Sequence, residues 1–308
     1  MSLSPSWRPA LLAGACLALL TGCGSSDAAR PTPAPAGSAR IAVVASTNVY
    51  GDIVRRIGGA KVDVTSIISD PDQDPHSYEA DAQNQLALSK AKVVVENGGG
   101  YDDFVDRMLS SGHNGSAEVV NAVKVSGKRA PEGGELNEHV WYDFPTVAKI
   151  ADRVADALAR VDGADATTFR KNATAFKARL TALEAKEARI RKEHGGEAVA
   201  ITEPVPLYMI EASGLVNRTP AQFSEAIEEG DDVSPRVLQQ TLALFGGKRV
   251  KALVCNEQTS GPQTQRAEQA AKAAGIPVVP VTETLPKGKD YLGWMTANLD
   301  ALARALHT

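Results

Sequence analysis

Residues 166–194, ATTFRKNATAFKARLTALEAKEARIRKEH, contain neither proline nor glycine and carry apolar side chains at Phe169, Ala173, Phe176, Leu180, Leu183 and Ile190. Steps of 3, 4 and 7 residues keep these on one face of an α-helix. At ~1.5 Å per residue such a helix reaches roughly 40 Å. Gly195-Gly196 then stops it. A coiled-coil arm would need a longer heptad run, so the segment reads as a stiff spine joining two lobes.

The flanking sequence fits a spine. Short β-branched apolar runs lie near Ile41 to Ser46, Val62 to Ile68 and Lys92 to Glu96, and again at Ala198 to Thr202, Lys251 to Cys255 and Pro277 to Thr282. They are continuously apolar rather than alternating, as in strands of a parallel sheet buried on both faces. Helical patterns separate them, and Asp143 before Pro145 and Ser234 before Pro235 mark helix starts. The expected fold class is α/β: two βα lobes with parallel-type sheets, over residues 40–165 and 195–308, joined by one long rigid helix over 166–194.

Ahead of the lobes, Arg8 precedes the apolar run LLAGACLALLTGC, Leu11 to Cys23. The run is too short to span a bilayer and suits the apolar region of a signal peptide. It ends in Leu20-Thr21-Gly22-Cys23, which resembles the bacterial lipobox. Residues 1–22 are therefore expected to be removed and Cys23 to carry lipid, on the outer face of the cytoplasmic membrane. Residues 23–39 are rich in Pro, Gly, Ala and Ser, cannot bury a core, and read as a tether. The 308-residue chain has a formal net charge of −4, and removing the leader subtracts only Arg8. Without basic runs, nucleic acid is not an expected partner. Of three cysteines, Cys16 lies in the leader and Cys23 at the lipidation site, which leaves Cys255 alone and excludes a disulfide framework. In VKALVCNE it reads as a small core residue.

In open α/β sheets, ligands sit at the carboxyl ends of strands. Past the strand ending at Ile68 comes SDPDQDPHSYEAD, with His76; a long loop later, LNEHVWYDFP holds His139. In the second lobe the strand ends deliver Glu203 and Glu283. Two imidazoles from one lobe and two carboxylates from the other would meet across a cleft. Taken singly, each has an ordinary reading: His76 a turn residue, His139 a core histidine, Glu203 a first-turn acid favoured by a helix dipole, Glu283 a solvated strand end. His113, in a turn-rich loop, His194, where a cation suits the end of the spine, and His307 read as non-functional.

The strings STNVYGDIVRRIGGAKVDVTSIISDPDQDPHSYEAD and NEHVWYD resemble the metal-binding lipoproteins of zinc and manganese ABC importers, the cluster A-I solute-binding proteins. The likeness runs from about residue 40 to 308, and Pro-His-x-Tyr-Glu is its most specific element. It implies ligand histidines at His76 and His139, a third ligand at Glu203 after the first strand past the spine, and a fourth at Glu283 after the last strand. Many zinc-specific members have histidine where Glu203 stands and a His-rich loop before the second ligand; here that loop, KVSGKRAPEGGELNE, has no histidine. Glu203 leans toward manganese, whereas Glu283 in place of aspartate fits neither subgroup.

Two neutral imidazoles and two carboxylates carry −2 and neutralise one divalent transition metal, zinc or manganese. Monodentate carboxylates would suit four-coordinate zinc, and bidentate ones five- or six-coordinate manganese. Asp143, Glu138 and Glu257 are candidates to accept the second N–H of a ligand histidine, with Asp143 equally a helix cap. The expected function is metal capture for an ABC permease and its ATPase, by a monomer and not by an enzyme. An exported metal-dependent hydrolase would need an open coordination position and a general base. A metal-binding adhesin or chaperone without a transporter would share the same ligand set.

Overall fold

The computed structural model describes residues 40–307, apart from 71–77, 79, 80, 113 and 133. The leader, the tether, Cys23, His76 and His113 lie outside the described residues.

The first lobe runs β1 (Ile41–Thr47), α1 (Asn48–Gly58), β2 (Val62–Ile68), α2 (Ala82–Lys90), β3 (Val93–Glu96), α3 (Asp103–Gly112), β4 (Glu118–Asn121), α4 (Ala122–Ser126) and α5 (Phe144–Val161). The spine is α6 (Ala166–His194), 29 residues long. The second lobe continues β5 (Ala198–Ile201), α7 (Leu207–Ala212), β6 (Val216–Asn217), α8 (Ala221–Glu228), α9 (Pro235–Gly246), β7 (Leu253–Asn256), α10 (Pro262–Ala273), β8 (Val278–Val281) and α11 (Tyr291–Leu306). Each lobe has one four-stranded sheet, ordered β2-β1-β3-β4 and β6-β5-β7-β8, with every pair parallel. This is the expected α/β architecture of two lobes on a long helix.

The six expected strands are present within two residues at each end. β4 and β6 were not expected: both are edge strands, and Val119 and Val216 are exposed, so neither shows a continuous apolar run. The stripe of α6 is buried as expected, from Phe169 to Ile190, and the seven-residue step between Leu183 and Ile190 is filled by buried Glu187.

One core holds both lobes. It includes Ile53, Phe144, Phe169, Phe176, Ile201, Tyr291 and Trp294, so α1, α5, α6 and α11 share it with both sheets. Hydrogen bonds also cross between lobes: Tyr142 Oη donates to Thr282 O (2.7 Å), Tyr291 Oη to Trp141 O (2.6 Å), and Leu285 N to Asn48 Oδ1 (2.8 Å).

Candidate metal centre

His139 begins a single 3-10 turn, Val140–Tyr142, and the end of β3 holds its loop in place. Asn97, the residue after β3, donates from Nδ2 to Glu138 O (3.0 Å) and accepts from the buried hydroxyl of Tyr50. The imidazole packs against Trp141 at 5.1 Å and Tyr101 at 5.9 Å between ring centroids. Its Nδ1 is 2.8 Å from Asn137 Oδ1. The orientation of that amide is fixed, because Asn137 Nδ2 donates to Pro204 O (3.1 Å) in the other lobe. Nδ1 therefore carries its proton toward Asn137, and Nε2 faces Glu228 Oε1 (3.5 Å) and Glu283 Oε2 (3.7 Å).

The second lobe supplies the carboxylates from strand ends. Glu203 stands two residues past β5 and Glu283 two past β8, with Asn256, the last residue of β7, between them. Asn256 Nδ2 donates to Glu203 Oε2 and to Glu283 Oε1 (2.8 Å), while its Oδ1 accepts from Gln258 N (3.2 Å). Glu203 and Glu283 are 2% and 1% exposed. Glu203 Oε1 is buried without a hydrogen-bond partner among the described residues. So is Glu228 Oε1, at the end of α8.

Glu203 and Glu228 hold their protons to higher pH than exposed carboxylates do. Burial, then the charge of Glu283, lifts Glu203 to about 7. Burial lifts Glu228 to about 8 against the opposing pull of His139. For His139, burial lowers the pKa, but the hydrogen bond to Glu283 and the charges of Glu138, Glu228 and Glu283 push it up to about 9. A cation entering the cluster would displace these protons, as metal ions do at such ligands.

His139, Glu203 and Glu283 are thus brought together. Glu228 was not anticipated. Its sequence signal is weak, an acid in AIEEGDD at a helix C-terminus, where the macrodipole disfavours negative charge. Of the three carboxylates considered for the second N–H of a ligand histidine, Asp143 instead caps α5 through Thr146 N (3.1 Å) and faces Lys128 (3.4 Å). Glu257 is exposed. Glu138 lies in the cluster, its carboxylate within 4.8 Å of donor atoms of His139 and Glu228. The partner of His139 Nδ1 is the Asn137 side chain two residues away, an amide where an acid was expected. Cys255 is buried in the second lobe, and burial raises its thiol to about 12.

Glu138 and Glu228 also line a cleft of about 990 Å³ between segment 129–138 and helices α7 and α8. Its described lining holds seven glutamates against one basic residue, Arg129. An acidic cleft of this kind concentrates cations at the buried cluster.

Two parallel βα lobes on one spine, with an imidazole and several carboxylates buried where their strand ends meet, define a binding protein for a cation. The chain belongs to the ZnuA family, the periplasmic component A of zinc-uptake complexes, which it matches over residues 43–305. It is 24% identical over 288 residues to the manganese ABC transporter substrate-binding lipoprotein scaA of Streptococcus gordonii, covering 87% of this chain and 90% of that one. It is 25% identical over 327 residues to the iron ABC transporter substrate-binding lipoprotein MtsA of Streptococcus pyogenes, covering 97% and 98%. The fold is that of the periplasmic zinc-binding protein TroA of Treponema pallidum, with a TM-score of 0.73 at 21% identity over 87% of this chain and 99% of that one. The family consists of substrate-binding proteins of ABC importers, so the chain is a binding protein and not an enzyme.

Proposed function

We propose that the chain, exported and lipid-anchored through Cys23, captures one divalent transition metal, zinc or manganese, and hands it as a monomer to an ABC permease driven by its ATPase. On this reading residues 1–22 are the leader, 23–39 the tether, and 40–165 and 195–308 the two metal-binding lobes on either side of the 166–194 spine. The ligands are His76, His139, Glu203 and Glu283, with Glu228 beside them.

The observation that carries the reading is the convergence of His139 Nε2 on Glu228 and Glu283. Glu203 Oε1 adds to it, being buried without a hydrogen-bond partner among the described residues. A buried carboxylate oxygen without a donor is costly, and a cation supplies what the protein does not. The metals in the relatives' names, manganese for scaA and iron for MtsA, support the class of cargo. Within it, carboxylate oxygens suit manganese while affinity order favours zinc, so geometry and availability choose between them.

Elemental analysis of the protein taken from its own host should find one tightly held zinc or manganese per chain, and competition between the two ions should rank them. Protein that retains neither ion and binds neither after chelation would overturn the proposal.

A further inference from the structure

A second cluster of donors lies where the spine enters the second lobe, outside the centre described above. His194 closes α6 with its side chain only 9% exposed. Its Nδ1 lies 3.4 Å from Glu197 Oε2 without making a hydrogen bond, and both ring nitrogens are buried without a hydrogen-bond partner among the described residues. The ring of His307, just past α11, meets it edge-on at 4.7 Å between centroids. Glu193 adds a carboxylate, and donor atoms of Glu193, His194 and His307 all lie within 4.8 Å of one another. Glu193 and His307 are exposed.

A buried imidazole with no hydrogen-bond partner at either nitrogen among the described residues, beside a second imidazole and a carboxylate, is an arrangement that a cation completes. We propose that His194, His307 and Glu193 form a second metal site, for a borderline divalent ion of the zinc class. In it Glu197, already 3.4 Å from Nδ1, would close on His194 Nδ1–H and leave Nε2 to the ion, the carboxylate–histidine–metal arrangement common at zinc. Two imidazoles and one carboxylate suit zinc better than manganese, which prefers oxygen ligands. Zinc bonds of about 2.0–2.1 Å to nitrogen place tetrahedral donors about 3.4 Å apart. Glu193 and His307, being exposed, can rotate to close from 4.8 Å, and water takes the fourth position. Arg189 and Arg304 line the same groove and compete with the ion for Glu193, so this site binds more weakly than one buried among carboxylates. The bound ion would join the end of the spine to the end of α11.

The test is calorimetric titration of Zn²⁺ into the full chain, purified in mild detergent and stripped by chelator. We expect one zinc equivalent that His307→Asn and Glu193→Gln each remove and that His139→Ala leaves in place. In the His139→Ala protein, Zn²⁺ at a hundredfold excess over its Kd should raise Tm by roughly 5 °C, and adding His307→Asn should abolish the rise. Both variants at exposed positions keep the fold, so loss of binding is not loss of structure. If no equivalent responds to either variant, the second site does not exist; whether another equivalent responds to His139→Ala tests the capture reading separately.

Discussion

The two sheets have the same strand order relative to their own lobes, yet their carboxyl ends do different work. In the first, Glu96 at the end of β3 accepts from Asn121 Nδ2 (2.8 Å), one amide for one carboxylate. The neighbouring Asn97 has its Oδ1 taken by Tyr50 and its Nδ2 shared between Gly98 O (2.9 Å) and Glu138 O (3.0 Å). In the second, Asn256 faces two carboxylates. Its two N–H bonds reach one oxygen of each acid, and Glu203 Oε1 is left buried without a hydrogen-bond partner among the described residues. The same topology therefore yields a closed polar network or an open one according to the ratio of amides to carboxylates. The closed one positions a backbone segment, that of His139, and the open one leaves Glu203 Oε1 for the cation of the proposed function.

The sharpest way to break this contrast is to alter the open network. Glu203→Gln keeps the shape but removes a charge and one acceptor, and should lower metal affinity by more than about 100-fold. Asn256→Ala removes only the bridge that orients both acids, and should cost about 10–100-fold, the usual effect of a group that positions a ligand. Equilibrium competition against a chelating dye measures both. Equal losses, or a larger one for Asn256→Ala, would mean that the acids are not the ligands.

Much of this arrangement is legible in the order of residues. The stripe from Phe169 to Ile190 gives the spine, and continuous apolar runs give the central strands, because burial on two faces forces that composition. The strand ends then point to Glu203 and Glu283. Asn256 is not legible: nothing local marks it, and it meets both acids only because β7 pairs between β5 and β8, with Asn256 opposite Val281. Glu228 is similar, since its helix packs toward His139 only through the tertiary fold. Asn137 is hidden by the expectation that a histidine's partner is a carboxylate.

The closed network gives a smaller effect. Asn97→Ala leaves the buried Tyr50 hydroxyl without its acceptor, while Glu138 O keeps only its hydrogen bond from Val140 N (2.6 Å). Unsatisfied buried groups cost about 1–3 kcal/mol, so urea unfolding should show a loss of that size. Metal affinity should fall less than in Asn256→Ala, because the His139 ring is still held by Trp141, Tyr101 and Asn137. A larger loss of affinity than of stability would place Asn97 with the open network instead.

Outside both networks, Glu187 occupies the missing step of the spine's apolar stripe, 5% exposed, with Oε1 lacking a hydrogen-bond partner among the described residues. Burial, and then the charges of Asp143 and Glu184, lifts its pKa to about 8, above the ordinary ~4.3 of glutamate. The folded chain therefore keeps a proton that the unfolded chain releases. That contribution is complete below the unfolded pKa and is lost as pH rises through the folded one. Glu187→Gln cannot ionise, so its Tm should match the wild type near pH 5 and exceed it progressively toward pH 8.5. Glu203 and Glu228 titrate in the same window in both proteins, so the difference between the two Tm curves isolates Glu187. Parallel curves would mean that the spine tolerates the charge, and that its stripe is interrupted by a solvated group rather than by a neutral buried acid.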